Sequence, residues 1–100
     1  MSIDVRWHPR AEAELREAAA WYRAQDEGER LLARFETAVV REVNQIATAP
    51  ERWPIGRAPY RQKVFASPFP YVVIYRTEGA SDVIVALAHQ RRRPAYWARR

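Results

Sequence analysis

The stretch Ser81-Asp82-Val83-Ile84-Val85-Ala86-Leu87-Ala88-His89 decides the fold class. From Val83 to Ala88 every residue is apolar, so a β-strand made of this run has no polar face. Such a strand is expected at the centre of a sheet that is covered on both sides. The run is also the longest apolar stretch of the chain and is far too short to cross a bilayer. It therefore predicts a central strand in a small cytoplasmic protein, with no membrane partner.

Two further strands are predicted before this one. The segment Phe69–Arg76 is apolar and rich in β-branched residues, and Tyr60–Phe65 alternates between polar and apolar residues. Ser67-Pro68 and Thr77–Ala80 supply turn residues between the strands. The second half of the chain is therefore expected to form a three-stranded, antiparallel-rich sheet.

The first half predicts a strand and a helix. Ile3, Val5 and Trp7 alternate with polar residues, which is the period of a strand with one buried face. Pro9 suits the first turn of a helix. The apolar positions of this first helix recur at helical spacing; they are Ala11, Leu15, Ala18 and Tyr22.

A second helix follows after a short link, Gln25 to Gly28. Asp26 and Glu29 have the spacing of a capping box, and Pro50 predicts an end near Thr48. The apolar stripe consists of Leu32, Phe35, Val39, Val43 and Ile46. A short link predicts an antiparallel helical hairpin. Residues 1–100 are therefore expected to form a single α+β domain: a strand, a helical hairpin, a sheet and a basic C-terminal tail.

Several kinds of site lack the residues that they need. The chain has no Cys, and His8 and His89 lie at opposite ends, so we expect no metal site. No glycine-rich phosphate loop is present, so we expect no nucleotide cofactor. The helical carboxylates are expected to form a solvated face rather than an acid–base pair; they include Glu12, Glu17, Glu36 and Glu42.

The charge is unevenly distributed. Residues 52–76 carry five basic residues and no acid, and residues 89–100 carry five arginines and no acid. Two acid-free segments that also contain aromatic residues suggest an anionic partner, either nucleic acid or an acidic peptide. The alternative is a solvated basic tail.

The basic residues define a candidate site. If Tyr60 and Val64 face the core, strand alternation places Arg61 and Lys63 side by side in water. The candidate residues for binding an anionic partner are Arg57, Arg61, Lys63, Arg76, Arg91, Arg92, Arg93 and Trp97. Together with His89 at the end of the last strand, such a surface suits phosphate binding and phosphoryl transfer, with a base stacked on Tyr96 or Trp97. The alternative is that both aromatic residues cap the core and hold the tail down.

Three segments resemble the RelE/ParE superfamily of toxins. The run from Val85 to Trp97 resembles their C-terminal signature, an apolar strand that ends in His, basic residues and an aromatic residue. The segment Phe69–Arg76 is similar to their "PYRIIYR" strand, and Val5–Leu15 is similar to their strand and helix beginning "P-x-A-x-x-x-L". This resemblance spans nearly the whole chain.

The resemblance implies a growth-inhibiting toxin that is silenced by a cognate antitoxin, whose acidic segment binds an arginine-rich surface. RelE-type members cut mRNA on the ribosome. For that activity the resemblance implies Arg61, Lys63, Arg91 and Tyr96 as catalytic residues, with His89 as a further candidate. ParE-type members act on DNA gyrase without a ribonuclease site.

Val72 favours the ParE-type alternative. In RelE-type toxins the position immediately after the residue matched by Tyr71 often carries a catalytic arginine, and here it carries Val72. The missing donor would be worth ~3 kcal/mol of transition-state stabilisation. We therefore expect a gyrase-directed toxin. The two alternatives are a ribosome-dependent endoribonuclease and a non-toxic nucleic-acid-binding module.

Overall fold

The structure, a computed structural model, describes residues 4–66 and 68–100. Predictions that fall on Ile3 and Ser67 lie outside the described residues. The elements are β1 (Asp4–Trp7), α1 (Pro9–Arg23), α2 (Gly28–Thr48), a 3-10 turn (Pro50–Arg52), β2 (Arg61–Val64), β3 (Tyr71–Glu78) and β4 (Ser81–His89). This order confirms the predicted α+β class.

The four strands form one sheet in the order β1-β4-β3-β2. The N-terminal strand joins the predicted three-stranded sheet and pairs in parallel with β4, while β2–β3 and β3–β4 are antiparallel. β4 is thus an interior strand, and its apolar run is covered on both faces as predicted.

A β-bulge lets β4 serve two apolar clusters. Ile74 pairs with Ala86 while Tyr75 pairs with Ile84, so Val85 is an extra residue on β4. Ile84 consequently packs against the two helices, whereas Val85 and Ala86 pack on the opposite face. That second face is covered by the C-terminal residues around Trp97.

Helix α1 begins as the sequence predicts. Pro9 occupies its first turn, and the Nδ1 atom of His8 accepts a hydrogen bond from the amide of Arg10 at 3.1 Å. Ala11, Ala18 and Tyr22 are buried on its inner face. His8 therefore caps the helix in the way that Asn or Asp usually does.

The predicted capping box at the start of α2 is wrong. The helix begins at Gly28, and its N-cap is Glu27, which has a φ of 58° and makes no side-chain capping bond. A Cβ atom on Gly28 would lie 1.8 Å from the carbonyl oxygen of Arg23, so the two helices meet too closely for any other residue. Glu29 instead pairs with Arg23, at 3.2 Å. The tight crossing, rather than a capping side chain, sets where α2 begins.

The rest of the hairpin agrees with the sequence. α2 ends at Thr48, and Phe35, Val39 and Ile46 of its predicted stripe are buried. Trp53 packs against the helix-side core. Within the described residues, no helix is long and apolar enough to cross a membrane.

The cap formed by His8 predicts a pH-dependent stability. Desolvation, and next the positive charge of Arg100, lower the pKa of His8 below 6.5. Because folding favours the neutral imidazole, the unfolded chain takes up a proton first as the pH falls, and stability decreases below about pH 6.5. Urea unfolding at about pH 7.5 and about pH 5.5 should show this loss in the wild type, and His8→Asn, which caps without titrating, should reduce it. Equal losses in both proteins would contradict the assignment.

Candidate functional site

The carboxylate of Glu14 is the centre of the polar site. It lies on the inner face of α1 with only 9% of the residue exposed. Oε1 accepts hydrogen bonds from the amide of Leu87 at 3.1 Å and from Arg100 at 2.7 Å. Oε2 accepts from the hydroxyl of Tyr96, from Arg92 at 3.3 Å and from Arg100 at 3.2 Å. One acid thus joins the first helix to the last strand and to the C-terminal residues.

The ring of Tyr96 lies beside two guanidinium groups. The Cζ atom of Arg92 is 4.0 Å from the ring centroid, and that of Arg100 is 5.0 Å away. Burial, and next the hydrogen bond to Glu14, raise the pKa of Tyr96 far above its ordinary value. Its hydroxyl therefore stays protonated and engaged with Glu14 at neutral pH.

The same contacts close an edge of the sheet. β1 ends at Trp7, opposite Ile84, so the later part of β4 has no β1 partner on that side. There Glu14 accepts from the amide of Leu87, and Arg100 donates to the carbonyl of Val85 at 3.1 Å. Two side chains thus satisfy main-chain groups that a neighbouring strand would otherwise pair.

Trp97 packs on the far face of the sheet from the helices. It is 4% exposed, and its ring centroid lies 4.8 Å from that of Tyr60. Tyr60 donates a hydrogen bond to the carbonyl of Ala98 at 3.4 Å, and Arg76 donates to that of Arg100, also at 3.4 Å. Tyr96 and Trp97 thus hold the tail against the sheet: Trp97 is buried, and Tyr96 is half-buried beside two guanidinium groups.

Lys63 does not lie in solvent, so this prediction is wrong. The residue is 3% exposed, because it pairs with Val73 of β3 and faces the helices. Its Nζ atom forms an ion pair with Glu42 and lies 4.4 Å from the ring centroid of Trp53. Val64 is exposed instead. The prediction failed because Tyr60 packs under Trp97, on the second covered face of the sheet, and not against the helices.

Glu42 corrects a second expectation. It was expected on the solvated helix face, yet it is 1% exposed. Besides pairing with Lys63, it accepts a hydrogen bond from the amide of Ala66 at 3.3 Å. A buried lysine facing α2 requires this carboxylate.

Arg61 faces the same side of the sheet and ties down the loop before β2. Its Nη1 atom donates to the carbonyls of Trp53 at 2.7 Å and Glu51 at 3.3 Å. Arg61 and Lys63 are thus engaged with the fold rather than aligned for a phosphate.

Three of the candidate arginines remain unengaged. Arg57, Arg91 and Arg93 are exposed, and none of them pairs with an acid in the part of the chain that the structure describes. Arg76 pairs with Glu78 at 2.8 Å. The half-buried imidazole of His89 accepts a hydrogen bond from the amide of Arg91 at 3.1 Å, which shapes the turn that carries the arginines.

A cleft of about 460 Å³ opens beside this turn, between α1 and the end of β4. Trp21, Tyr22, Tyr71 and Leu87 contribute apolar surface, and Arg92 lies at its rim. Trp21 is 60% exposed, which is unusual for so large an apolar side chain. The cleft can receive apolar side chains of a partner polypeptide. No cluster of metal-binding side chains occurs among residues 4–66 and 68–100.

Sequence reasoning missed Glu14. The available signal was its position, because Glu14 falls on the same helical stripe as Ala11 and Ala18. An acid on the buried face of a helix requires buried donors. The arginines of the tail are those donors.

Comparison with known proteins agrees with this architecture. Residues 5–94 match the family described as the ParE toxin of the type II toxin–antitoxin system parDE. A solved structure titled "Chromosomal ParDE TA system from P. aeruginosa" superposes with a TM-score of 0.75 at 16% identity, covering 88% of this chain and 96% of that chain. No curated protein gives a significant sequence match.

The fold and the family match together define a small α+β toxin of the RelE/ParE superfamily. More particularly, the chain belongs to the ParE toxin family of type II toxin–antitoxin systems. The matched region ends at Pro94, so Tyr96, Trp97 and Arg100 lie beyond it.

The buried ion pair predicts a mutational signature. Lys63→Met or Glu42→Leu alone should destabilise the protein by about 3–5 kcal/mol, because each leaves an unpaired buried charge. The double variant should regain most of that loss. Denaturant unfolding of the four proteins measures the coupling. Additive losses would show that the two side chains do not depend on each other.

Proposed function

We propose that this toxin inhibits growth by binding DNA gyrase, and that a cognate antitoxin neutralises it. The observation that carries the proposal is the engagement of the residues that a ribonuclease of this superfamily would need. Lys63 is buried against Glu42, and the hydroxyl of Tyr96 is bound to Glu14.

Phosphoryl transfer requires donors that are free to meet charge developing on the phosphate. The Nη1 atom of Arg61 is bound to two main-chain carbonyls, and Val72 offers no donor. To reach an RNA, Lys63 would have to break its ion pair with Glu42 and move out from between the sheet and the helices. These positions support a toxin that acts by protein contact.

The exposed arginines support two kinds of partner contact. Arg91 and Arg93 project from the turn after β4, beside the cleft that contains Trp21. A basic rim next to an apolar cleft suits an antitoxin segment that carries both acidic and apolar residues. The same arginines form a surface for the target when the antitoxin is absent. In this proposal residues 1–100 act as one toxin domain in the cytoplasm.

A ribosome-dependent ribonuclease is the second candidate. His89 is half-buried at the end of β4, and its imidazole accepts a hydrogen bond from the main-chain amide of Arg91, so one turn carries both an imidazole and an exposed arginine. His89 and Arg91 alone lack the further basic residues that the ribonuclease mechanism requires. We therefore favour gyrase as the target.

Purified toxin should inhibit gyrase-catalysed supercoiling, and an excess of the cognate antitoxin should restore it. Arg91→Ala and Arg93→Ala should each raise the inhibitory concentration about tenfold, equivalent to ~1.4 kcal/mol of binding. Arg16→Ala removes an exposed arginine on α1 and serves as the matched control, with inhibition unchanged.

Folded wild-type toxin that arrests growth in cells but leaves gyrase fully active would overturn the gyrase target. Loss of inhibition in Arg16→Ala as large as in Arg91→Ala would show that net charge, rather than the turn after β4, determines binding.

A further inference from the structure

We propose that Glu14 is a positioning residue: it fixes the Arg91–Arg93 turn in the orientation in which the toxin meets its target. The proposal rests on the proposed function only in taking those arginines as a contact surface. It is independent of which protein the surface binds.

Arg92 is held by contacts on both its main chain and its side chain. Arg92 sits between the two exposed arginines, and its side chain is held by Glu14 and by the ring of Tyr96. Its amide also donates to the carbonyl of His89 at 3.0 Å. The middle residue of the turn is thus anchored through both main chain and side chain. Arg91 and Arg93, its neighbours on either side, are left exposed.

Arg100 donates hydrogen bonds to both carboxylate oxygens of Glu14, at 2.7 Å and 3.2 Å. Its side chain is 9% exposed and meets both carboxylate oxygens. Its Nε atom is buried without a described partner. A guanidinium so placed depends on Glu14 for its charge balance. Without the carboxylate, Arg100 would leave for solvent and Tyr96 would lose one of its two guanidinium neighbours.

Part of the tail is held to the sheet by contacts that do not involve Glu14. Trp97 is held by Tyr60, and the main chain at Ala98 accepts a bond from Tyr60, so part of the tail stays attached without Glu14. Of the groups that Glu14 contacts, Leu87 belongs to β4, whereas Arg92, Tyr96 and Arg100 belong to the tail. Loss of its charge should therefore loosen the turn while the sheet and the helices remain folded. A pre-ordered turn binds more tightly because its arginines lose less freedom on association.

Glu14→Gln tests the proposal, since the amide keeps the shape and one acceptor but removes the charge. The variant is expressed from a tightly controlled promoter, and the amount of soluble toxin needed to arrest growth is measured. We expect that amount to rise at least about tenfold, which corresponds to the loss of a pre-ordered contact worth ~1.4 kcal/mol. Hydrogen exchange of the purified variant should rise in residues 90–98, with the helices unchanged.

Two controls separate positioning from loss of stability. Ile46→Val removes one methylene from a fully buried residue of α2, and its melting temperature is compared with that of Glu14→Gln. Glu36→Gln removes an exposed charge from α2, away from the residues that line the cleft. Neither substitution touches the Arg91–Arg93 turn, so both variants should arrest growth at amounts within about twofold of wild type. A twofold change corresponds to ~0.4 kcal/mol of binding.

Tyr96→Phe provides a second variant should Glu14→Gln fold poorly. It removes only the hydroxyl bond to Glu14 and keeps the ring beside both guanidinium groups, so a smaller loss of toxicity is expected. Full toxicity of folded Glu14→Gln would overturn the proposal, as would an equal loss in a comparably destabilised Ile46→Val. Growth arrest without gyrase inhibition would overturn the gyrase target alone, because the arrest measurement does not depend on it.

Discussion

The buried carboxylate of Glu14 is the constraint on which the rest of the structure depends. An ion of this size loses several kcal/mol of hydration free energy on burial, and only good geometry with further hydrogen bonds offsets that loss. Here the offset comes from a main-chain amide of β4, a tyrosine hydroxyl and two arginines near the C-terminus. The first helix, the interior strand and the tail are therefore linked through one group. A change in any of them alters the turn that carries Arg91 and Arg93.

The uneven charge of the sequence has an internal explanation. The acid-rich first half supplies Glu14 and Glu42, and the basic second half supplies Arg92, Arg100 and Lys63 to meet them. The charges of Lys63 and Arg100 are thus neutralised inside the fold, whereas Arg92 is paired at the surface, with 52% of its side chain exposed. Among the described residues of the second half, the exposed positive charges that lack an acid partner lie at Arg52, Arg57, Arg91, Arg93 and Arg99. This smaller set is better suited to a defined protein contact than to a long nucleic acid groove.

Local patterns predicted most of the fold. The periods of α1, of α2 and of the three later strands were sufficient for element order, because each pattern reflects burial of its own face. The start of α2 could not be predicted, since it depends on how closely Gly28 approaches the carbonyl of Arg23. This distance depends on how α1 and α2 pack against each other, which the pattern of either helix alone does not reveal.

The site was harder to predict for a related reason. The C-terminal tail covers the face of the sheet that lies away from the helices. This cover determines which side chains of β2 are buried on each face, and the tail is distant from β2 in sequence. Lys63 was therefore assigned to solvent when Tyr60 in fact packs with Trp97. Glu14 was overlooked because a glutamate in a helix is usually solvated, and its partners Arg92 and Arg100 are separated from it by most of the chain.

Lys63 and Tyr96 are engaged with the fold, and we propose that the toxin therefore acts without a ribonuclease site. The most direct measurement maps the 5′ ends of cellular mRNA as growth stops after induction of the wild-type toxin. We expect intact transcripts together with a DNA-damage response. Codon-phased cuts that disappear in Arg91→Ala would contradict it.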